Sequence, residues 1–325
     1  MNKIVFFNNK GGVGKTTTVY HIAWMLAEMN CRVLAVDLDP QSNLSSMFLT
    51  QQRMEEIILD ESNKQTILDA IEPISEGEPY RPAHIERITE NISLLVGNLS
   101  LSAFEDKLSD AWAKCLSGDP FAFKVTSVFQ TLLNDAGNRC NADWILIDVG
   151  PNLGAMNRTI LISTDYILMP VASDLFSLQG IKNIGKTLRE WRTQWDKRRS
   201  EYTKPDNSLI PMGKMKPIGY MIMQYTAKDS RPVKSYLRWA DRIPGVYDQF
   251  VNGNSNLAHT EITNDSHCLA LLKHYHSLAP MSMEVHKPMF LLKPADGAIG
   301  AHLQAVKRCY NDFKYLTQRI INACK

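Results

Sequence analysis

The chain has 325 residues, of which 44% are apolar and 22% charged. That apolar share supplies a substantial core, which excludes a disordered chain, and the length allows one large α/β domain or two ordinary ones. No run reaches the roughly 18 uncharged apolar residues of a membrane span, and the six cysteines, with no CxxC pair or matching histidine spacing, exclude a zinc motif and read as reduced thiols.

The first element is a strand over residues 3–8 (KIVFFN), β-branched and aromatic. It leads directly into a glycine-rich loop at 9–15 rather than a cleavable apolar segment, so a cytoplasmic chain is expected. Helical spacing follows over residues 16–29, through Ile22, Ala23, Leu26 and Met29. Further short apolar runs lie at 32–37, 92–96, 144–149, 166–171 and 217–223, with helical patterns between most of them. Continuous apolar strands alternating with helices predict a doubly wound α/β fold: a mostly parallel sheet with helices on both faces. Residues 51–90 are acidic and fit the alternation poorly, so they read as a decorating insertion, and the proline- and glycine-bearing stretch 198–216 reads as a surface loop. The expectation is a single domain over residues 1–325.

The loop reads Asn9-Lys10-Gly11-Gly12-Val13-Gly14-Lys15-Thr16-Thr17. It matches G-x-x-x-x-G-K-[ST] except that Asn9 stands for the first glycine, a mild change because asparagine tolerates positive φ. Between a strand and a helix, such a loop closes its backbone N–H groups around phosphate oxygens, and the helix points its positive end at the same anion. Lys15 is then expected to neutralise the β and γ phosphates of a nucleotide, and Thr16 to offer its hydroxyl to Mg²⁺.

With a second lysine at its start, KGGVGKTT resembles the deviant Walker A signature of the ParA/MinD ATPases. The resemblance implies a P-loop NTPase that binds ATP and Mg²⁺ through Gly11, Gly12, Val13, Gly14, Lys15, Thr16 and Thr17, forms a homodimer over the nucleotide, and hydrolyses it slowly. In that family the first lysine reaches the partner subunit's phosphates, a role implied here for Lys10. Residues 36–41 (VDLDPQ) resemble switch I, in which Asp39 would position the attacking water. Residues 144–148 (WILID) resemble Walker B, whose Asp148 would hold the water shell of Mg²⁺. Lys10, Lys15 and Asp39 are thus the implied catalytic residues, and Thr16, Asp39 and Asp148 the metal-side ones. The resemblance departs from the family at Gly150, which replaces the first of two prolines and loosens the expected switch II turn, and at Gln179, which replaces a glutamate in the segment 170–180. It covers residues 1–50 and 140–190 well. Beyond them it is diffuse, with Lys287-Pro288, residues 296–300 and the last helix similar to the family's C-terminal segments.

The charge is uneven along the chain. Residues 1–181 carry 13 basic and 22 acidic side chains, 182–242 carry 15 and 6, and 243–325 carry 8 and 6, for net charges of −9, +9 and +2. A basic block of that size suits a polyanion. Positions 182, 186 and 189 have the spacing of one helix face, and so have 231, 234 and 238, which makes Arg231, Lys234 and Arg238 candidate DNA contacts. With the resemblance, this implies an ATPase that binds DNA nonspecifically as its ATP dimer, sits on the nucleoid, and partitions or positions a plasmid, chromosome or other cargo. A cargo-bound protein of ParB-like role would stimulate hydrolysis. The alternatives are a MinD-like ATPase cycling on a membrane through residues 310–325, and an accessory ATPase of a plasmid, phage or defence module. The first is disfavoured because the apolar positions 313, 316 and 320 continue from 303 and 306 as a sheet-covering face. An iron–sulfur role is disfavoured because neither Cys115 nor Cys140 sits in a ligand-like loop.

Overall fold

The computed structural model describes residues 1–59, 64–225, 227–228, 231–232, 238–254 and 260–325. Its strands are β1 (Asn2–Phe6), β2 (Val33–Leu38), β3 (Glu86–Arg87), β4 (Ile92–Leu95), β5 (Trp144–Val149), β6 (Tyr166–Val171), β7 (Lys216–Tyr225), β8 (Ala227–Lys228), β9 (Arg231–Pro232) and β10 (Cys268–Lys273). Eight of them form one sheet in the order β10-β7-β6-β1-β5-β2-β4-β3, and β8 and β9 form a separate antiparallel pair. Every pairing in the large sheet is parallel except β3 with β4. The chain winds outward through β2 and β4, returns to insert β5 beside β1, and winds the other way through β6, β7 and β10. The reversal puts a crevice at the carboxyl ends of β1 and β5, where open α/β sheets hold their ligands.

Successive side chains of a strand point to opposite faces, so the apolar strands feed two cores. On one face Ile4, Phe6, Ala35 and Leu146 pack under α1 (Lys15–Glu28) and the last helix, Ala301–Ala323. On the other, Val5, Val36 and Ile147 pack under α4 (Ile67–Ser75), α5 (Phe104–Lys114), α7 (Val128–Arg139), α8 (Ala155–Ile162) and α9 (Leu175–Ser200). The helices α2 (Asn43–Phe48), α3 (Gln51–Leu59) and α6 (Pro120–Thr126) complete the set up to α9.

The expected strands are all present, but β10 is an addition. Its sequence, CLALLK, is a short apolar run that reads equally as helix or strand until a neighbour is known. In the stretch 51–90, α4 buries Ile67, Ala70, Ile71 and Ile74 in the main core. The two-residue β3 then closes one edge of the sheet, with Arg53 of α3 paired to Glu86 at 2.9 Å. At the other edge, Arg319 of the last helix donates to the carbonyl of Ser266 at 2.8 Å, just before β10. The last helix turns Val306, Cys309, Phe313, Leu316 and Ile320 onto the sheet, the arrangement expected of a sheet-covering helix, although Leu303 lies exposed. Among the described residues no helix is long and apolar enough to cross a membrane.

One buried histidine ties the loop-bearing helix to a wall of the crevice. His21, on α1, has Nδ1 2.7 Å from the carbonyl of Thr17, and its Nε2 accepts the N–H of Met289 at 3.1 Å. Because Nε2 accepts, Nδ1 carries the proton and donates to Thr17. The ring stacks on Phe313, with centroids 4.8 Å apart. Burial pushes its pKa from 6.5 down to about 4, against the opposing hydrogen bond to Thr17. The unfolded chain takes up a proton at this residue near pH 6.5, whereas the folded chain stays neutral until about pH 4. The neutral-histidine contribution is therefore complete above pH 6.5 and is lost as pH falls toward 4, by about 3 kcal/mol at most. Urea unfolding measured across this range should show that loss, and His21→Gln should flatten the pH dependence; an unchanged slope in the variant would contradict the assignment.

Candidate functional site

The loop between β1 and α1 is shaped by its glycines. Gly12 and Gly14 take φ of 72° and 80°, a left-handed conformation that side chains other than glycine adopt at a cost. A Cβ on Gly14 would also stand 2.9 Å from Cγ of Met223. Asn9 is not among the residues with positive φ, so the tolerance expected of asparagine there is not used. Its side chain instead packs on Gly180, where a Cβ would come within 2.9 Å of Asn9 Oδ1. Asn8 fastens the loop to the end of β6: its Nδ2 donates to the Pro170 carbonyl at 2.7 Å and its Oδ1 accepts the N–H of Lys10 at 2.9 Å.

A cleft of about 470 Å³ opens over this loop. Gly11, Gly12, Gly14, Lys15, Thr16 and Thr17 form its floor, and Asp39, Gln41 and Asn43 one wall. Met223, Lys273, His274, Tyr275 and Met289, from β7, β10 and the segment near residue 289, form a further wall. Val13 is buried beneath the floor. The further wall was missed in the sequence because none of the elements that supply it carries a local signature of a site.

Lys10 stands outside the cleft. Its ammonium pairs with the carboxylate of Asp174. Asp174 is also the N-cap of α9, accepting the N–H of Ser177 at 2.8 Å through its other oxygen. An aspartate three residues before a serine at a helix start is a readable cap, but the pairing with Lys10 spans 164 residues and is not.

Asp37 and Asp148 are register partners on β2 and β5, both fully buried. Asp37 Oδ2 accepts both the N–H and the hydroxyl of Ser45 at 2.7 Å, and the Ser45 hydroxyl accepts the N–H of Gly97 at 3.0 Å. Burial and then the facing Asp37 carboxylate raise the pKa of Asp148, and burial likewise raises Asp37. Burial lowers the pKa of Lys15, while Asp148 and Asp39 oppose it. Both oxygens of Asp148 lack a hydrogen-bond partner among the described residues. Two adjacent buried carboxylates, one of them unpartnered, beside a threonine and a lysine, fit a site completed by a hydrated divalent cation. Asp39, the first residue after β2, is fixed by accepting the N–H of Gln41 at 3.0 Å.

The switch II turn is not loose at Gly150. Asn157 of α8, buried, donates through Nδ2 to the carbonyls of Gly150 and Asn152, each at 2.8 Å, and so supplies the constraint that a proline would have given. Glu105 of α5 accepts the first amides of α8. Neither residue was singled out in the sequence, because nothing local marks an asparagine within a helix or a glutamate 50 residues away as belonging to this turn.

The basic block is less available than its formal charge. Arg198 is buried, its guanidinium 4.5 Å from the Trp112 ring and its Nε donating to the Trp112 carbonyl at 2.7 Å. Arg189 donates to the carbonyl of Phe250, and Arg192 to that of Met215 at 2.9 Å. The expected helix face through 231, 234 and 238 does not form. Arg231 lies in β9, paired with Lys228 of β8, because the following Pro232 disfavours helical backbone at the residue before it. Lys234 lies outside the described residues. Arg238 is exposed, and with Arg242 it flanks the Trp239 ring at 5.5 and 5.1 Å, beside a second cleft that Lys182 also lines, together with Leu175 and Leu178 of the first turn of α9.

Residues 1–200, more than half of the chain, match the AAA domain family. The uncharacterized protein MJECL24 of Methanocaldococcus jannaschii is 29% identical over 240 residues, 74% of this chain and 79% of that protein. The chromosome-partitioning ATPase Soj of Thermus thermophilus is 28% identical over 192 residues, 59% of this chain and 63% of that relative. Among solved structures, protein DIP2308 from Corynebacterium diphtheriae superimposes with a TM-score of 0.70 at 27% identity, over 88% of this chain and 97% of that one. The matched region holds the phosphate loop with its two lysines, the paired carboxylates and switch II, and the chain belongs to this AAA domain family as a P-loop ATPase of the ParA/MinD family.

Proposed function

We propose that this chain binds Mg-ATP in the cleft over residues 11–17, pairs with a second copy across the nucleotide, hydrolyses ATP slowly, and binds DNA nonspecifically as the ATP dimer to partition or position a cargo. The observation that carries the reading is the placement of Lys10. It belongs to the phosphate loop yet stays outside its own cleft, held by Asp174, and so is free to serve a neighbour's phosphates once that pairing is exchanged. The Thermus thermophilus relative named a chromosome-partitioning ATPase supports the cellular role. In this reading the protein sits on the nucleoid, and a cargo-bound protein of ParB-like role stimulates hydrolysis. The burial of the last helix against the sheet weighs against a membrane anchor there.

The division of labour follows from the walls of the cleft. The loop amides and Lys15 hold the phosphates at the helix end, while Met223, Tyr275 and Met289 offer an apolar wall for the base. Thr16 and Asp148, with Asp39 beside them, would hold magnesium, which would supply neutralisation of the phosphate charge. Asp39, whose direction Gln41 fixes, orients the attacking water. Arg238, near Arg242 and Lys182, is the described part of the proposed DNA surface, to which Arg231 and Lys234 are added from sequence alone.

Lys15→Ala should lower ATP affinity on the order of 100-fold, because the triphosphate loses a charge-assisted partner. Asp39→Ala should bind ATP within about threefold of wild type while turning over about 100-fold more slowly, and so should accumulate as the dimer in size exclusion. Titration calorimetry and phosphate release separate the two; an Asp39→Ala chain that hydrolysed at the wild-type rate would remove the role. Lys10→Ala should keep ATP binding by the monomer and lose the dimer.

For DNA, binding to unrelated duplexes should need ATP, and each phosphate contact should add about −0.9 to the slope of log affinity against log salt. Arg238→Ala should flatten the dimer's slope by about two such contacts. Tight binding without nucleotide, or a slope unchanged by Arg238→Ala, would move DNA off this surface.

A further inference from the structure

Switch II runs from Asp148 to α8, and it is gripped at its α8 end by a residue that does not line the cleft. Glu105, in the first turn of α5, accepts the N–H of Ala155 and, at 2.9 Å, the N–H of Met156. These are the first two residues of α8, whose amides have no partner within the helix, and a carboxylate there also meets the positive end of the helix dipole. Space has been left for it: a Cβ on Gly154 would stand 2.2 Å from Glu105 Oε1. At the opposite end of the same turn, a Cβ on Gly150 would stand 3.4 Å from Asp39 Oδ1. The turn is thus seated between Glu105 and Asp39.

The helix that carries Glu105 is itself braced. Trp112 of α5 has the Arg158 guanidinium of α8 4.2 Å from its ring centroid and that of Arg198, from α9, at 4.5 Å. It also stacks on Trp195 of α9, with centroids 5.4 Å apart. A carboxylate on so fixed a helix sets where α8 begins, and with it the path of residues 150–154. Glu105 does not line the nucleotide cleft.

We propose that Glu105 is a positioning residue for ATP hydrolysis, seating switch II against Asp39 through the N-terminus of α8. The proposal rests on the ATPase reading above. Loss of the carboxylate frees the first turn of α8 and lets the Gly150 turn withdraw from Asp39, so the water that Asp39 orients loses its backing while the phosphate loop is untouched. The effect belongs in turnover rather than in ATP affinity.

The test compares the full chain with Glu105→Ala and Glu105→Gln, measuring Mg-ATP affinity, turnover at saturating ATP, the thermal midpoint, and amide exchange at residues 154–158 and along α1. Glu105→Ala should bind ATP within about threefold of wild type, turn over about tenfold more slowly or worse, and exchange faster at 154–158 but not along α1. Glu105→Gln, which keeps one acceptor oxygen, should recover part of the rate. Wild-type turnover in both variants, unchanged exchange at 154–158, or a fall in ATP affinity and folded fraction that accounts for the lost rate would each overturn the proposal. A wild-type chain with no ATP hydrolysis would overturn the ATPase reading itself, whereas a hydrolysing wild type with equally active variants would overturn the proposal alone.

Discussion

Two carboxylates side by side in the interior are the constraint around which the crevice is arranged. Asp37 and Asp148 end adjacent strands in register, out of reach of water, and neither can be charged cheaply without positive partners. Lys15 faces Asp148, and that carboxylate together with Asp39 opposes the lowering of its pKa by burial. Removing Lys15 would leave the Asp148 carboxylate without its positive neighbour, whereas removing Asp37 would relieve a like charge. Asp37 also organises the backbone around it. Ser45 binds it twice and then receives the amide of Gly97, so α2 and the loop after β4 are placed by the same carboxylate that repels Asp148.

The elements behind the crevice do a complementary job. Helix α1 is fixed at its base by the strand it follows and along its side by His21, whose two ring nitrogens join Thr17 to Met289. Helix α8 is fixed by polar groups at its start, and α9 by Asp174 at its own. The loops that meet a nucleotide in this family are thus held by short polar contacts to helices whose apolar faces are packed, so local rearrangement at the crevice need not disturb the core.

What the sequence revealed follows the range of the interactions. The phosphate loop was legible because its cause is local: glycines where φ must be positive, a lysine and threonines at a helix start. The strands before and after it, and the pair Asp37 and Asp39, were legible from the same short range. The order of strands, with β5 between β1 and β2, depends on contacts more than 100 residues apart and was not written in any window. Asn157 and Glu105 escaped for the same reason, since their partners are backbone groups that any residue could have supplied. The basic block misled in the opposite sense. Periodicity suggested one helix face through 231 and 238, but Arg231, before Pro232, lies in a strand, and formal charge counted Arg198 although its guanidinium is spent on Trp112.

The two rims of the sheet have a consequence beyond the crevice. A parallel sheet normally ends in strands whose free amides and carbonyls invite another chain to add to them, the route by which folded proteins in crowded solution grow fibres or exchange strands. Here one rim is a two-residue strand running against the rest, with an arginine–glutamate pair beside it, and at the other an arginine from the last helix engages the carbonyl just before β10. Neither rim is a long flat template. Were copies of this chain to gather at high local concentration, as the proposed dimer requires, these rims would give the sheet little part in joining them.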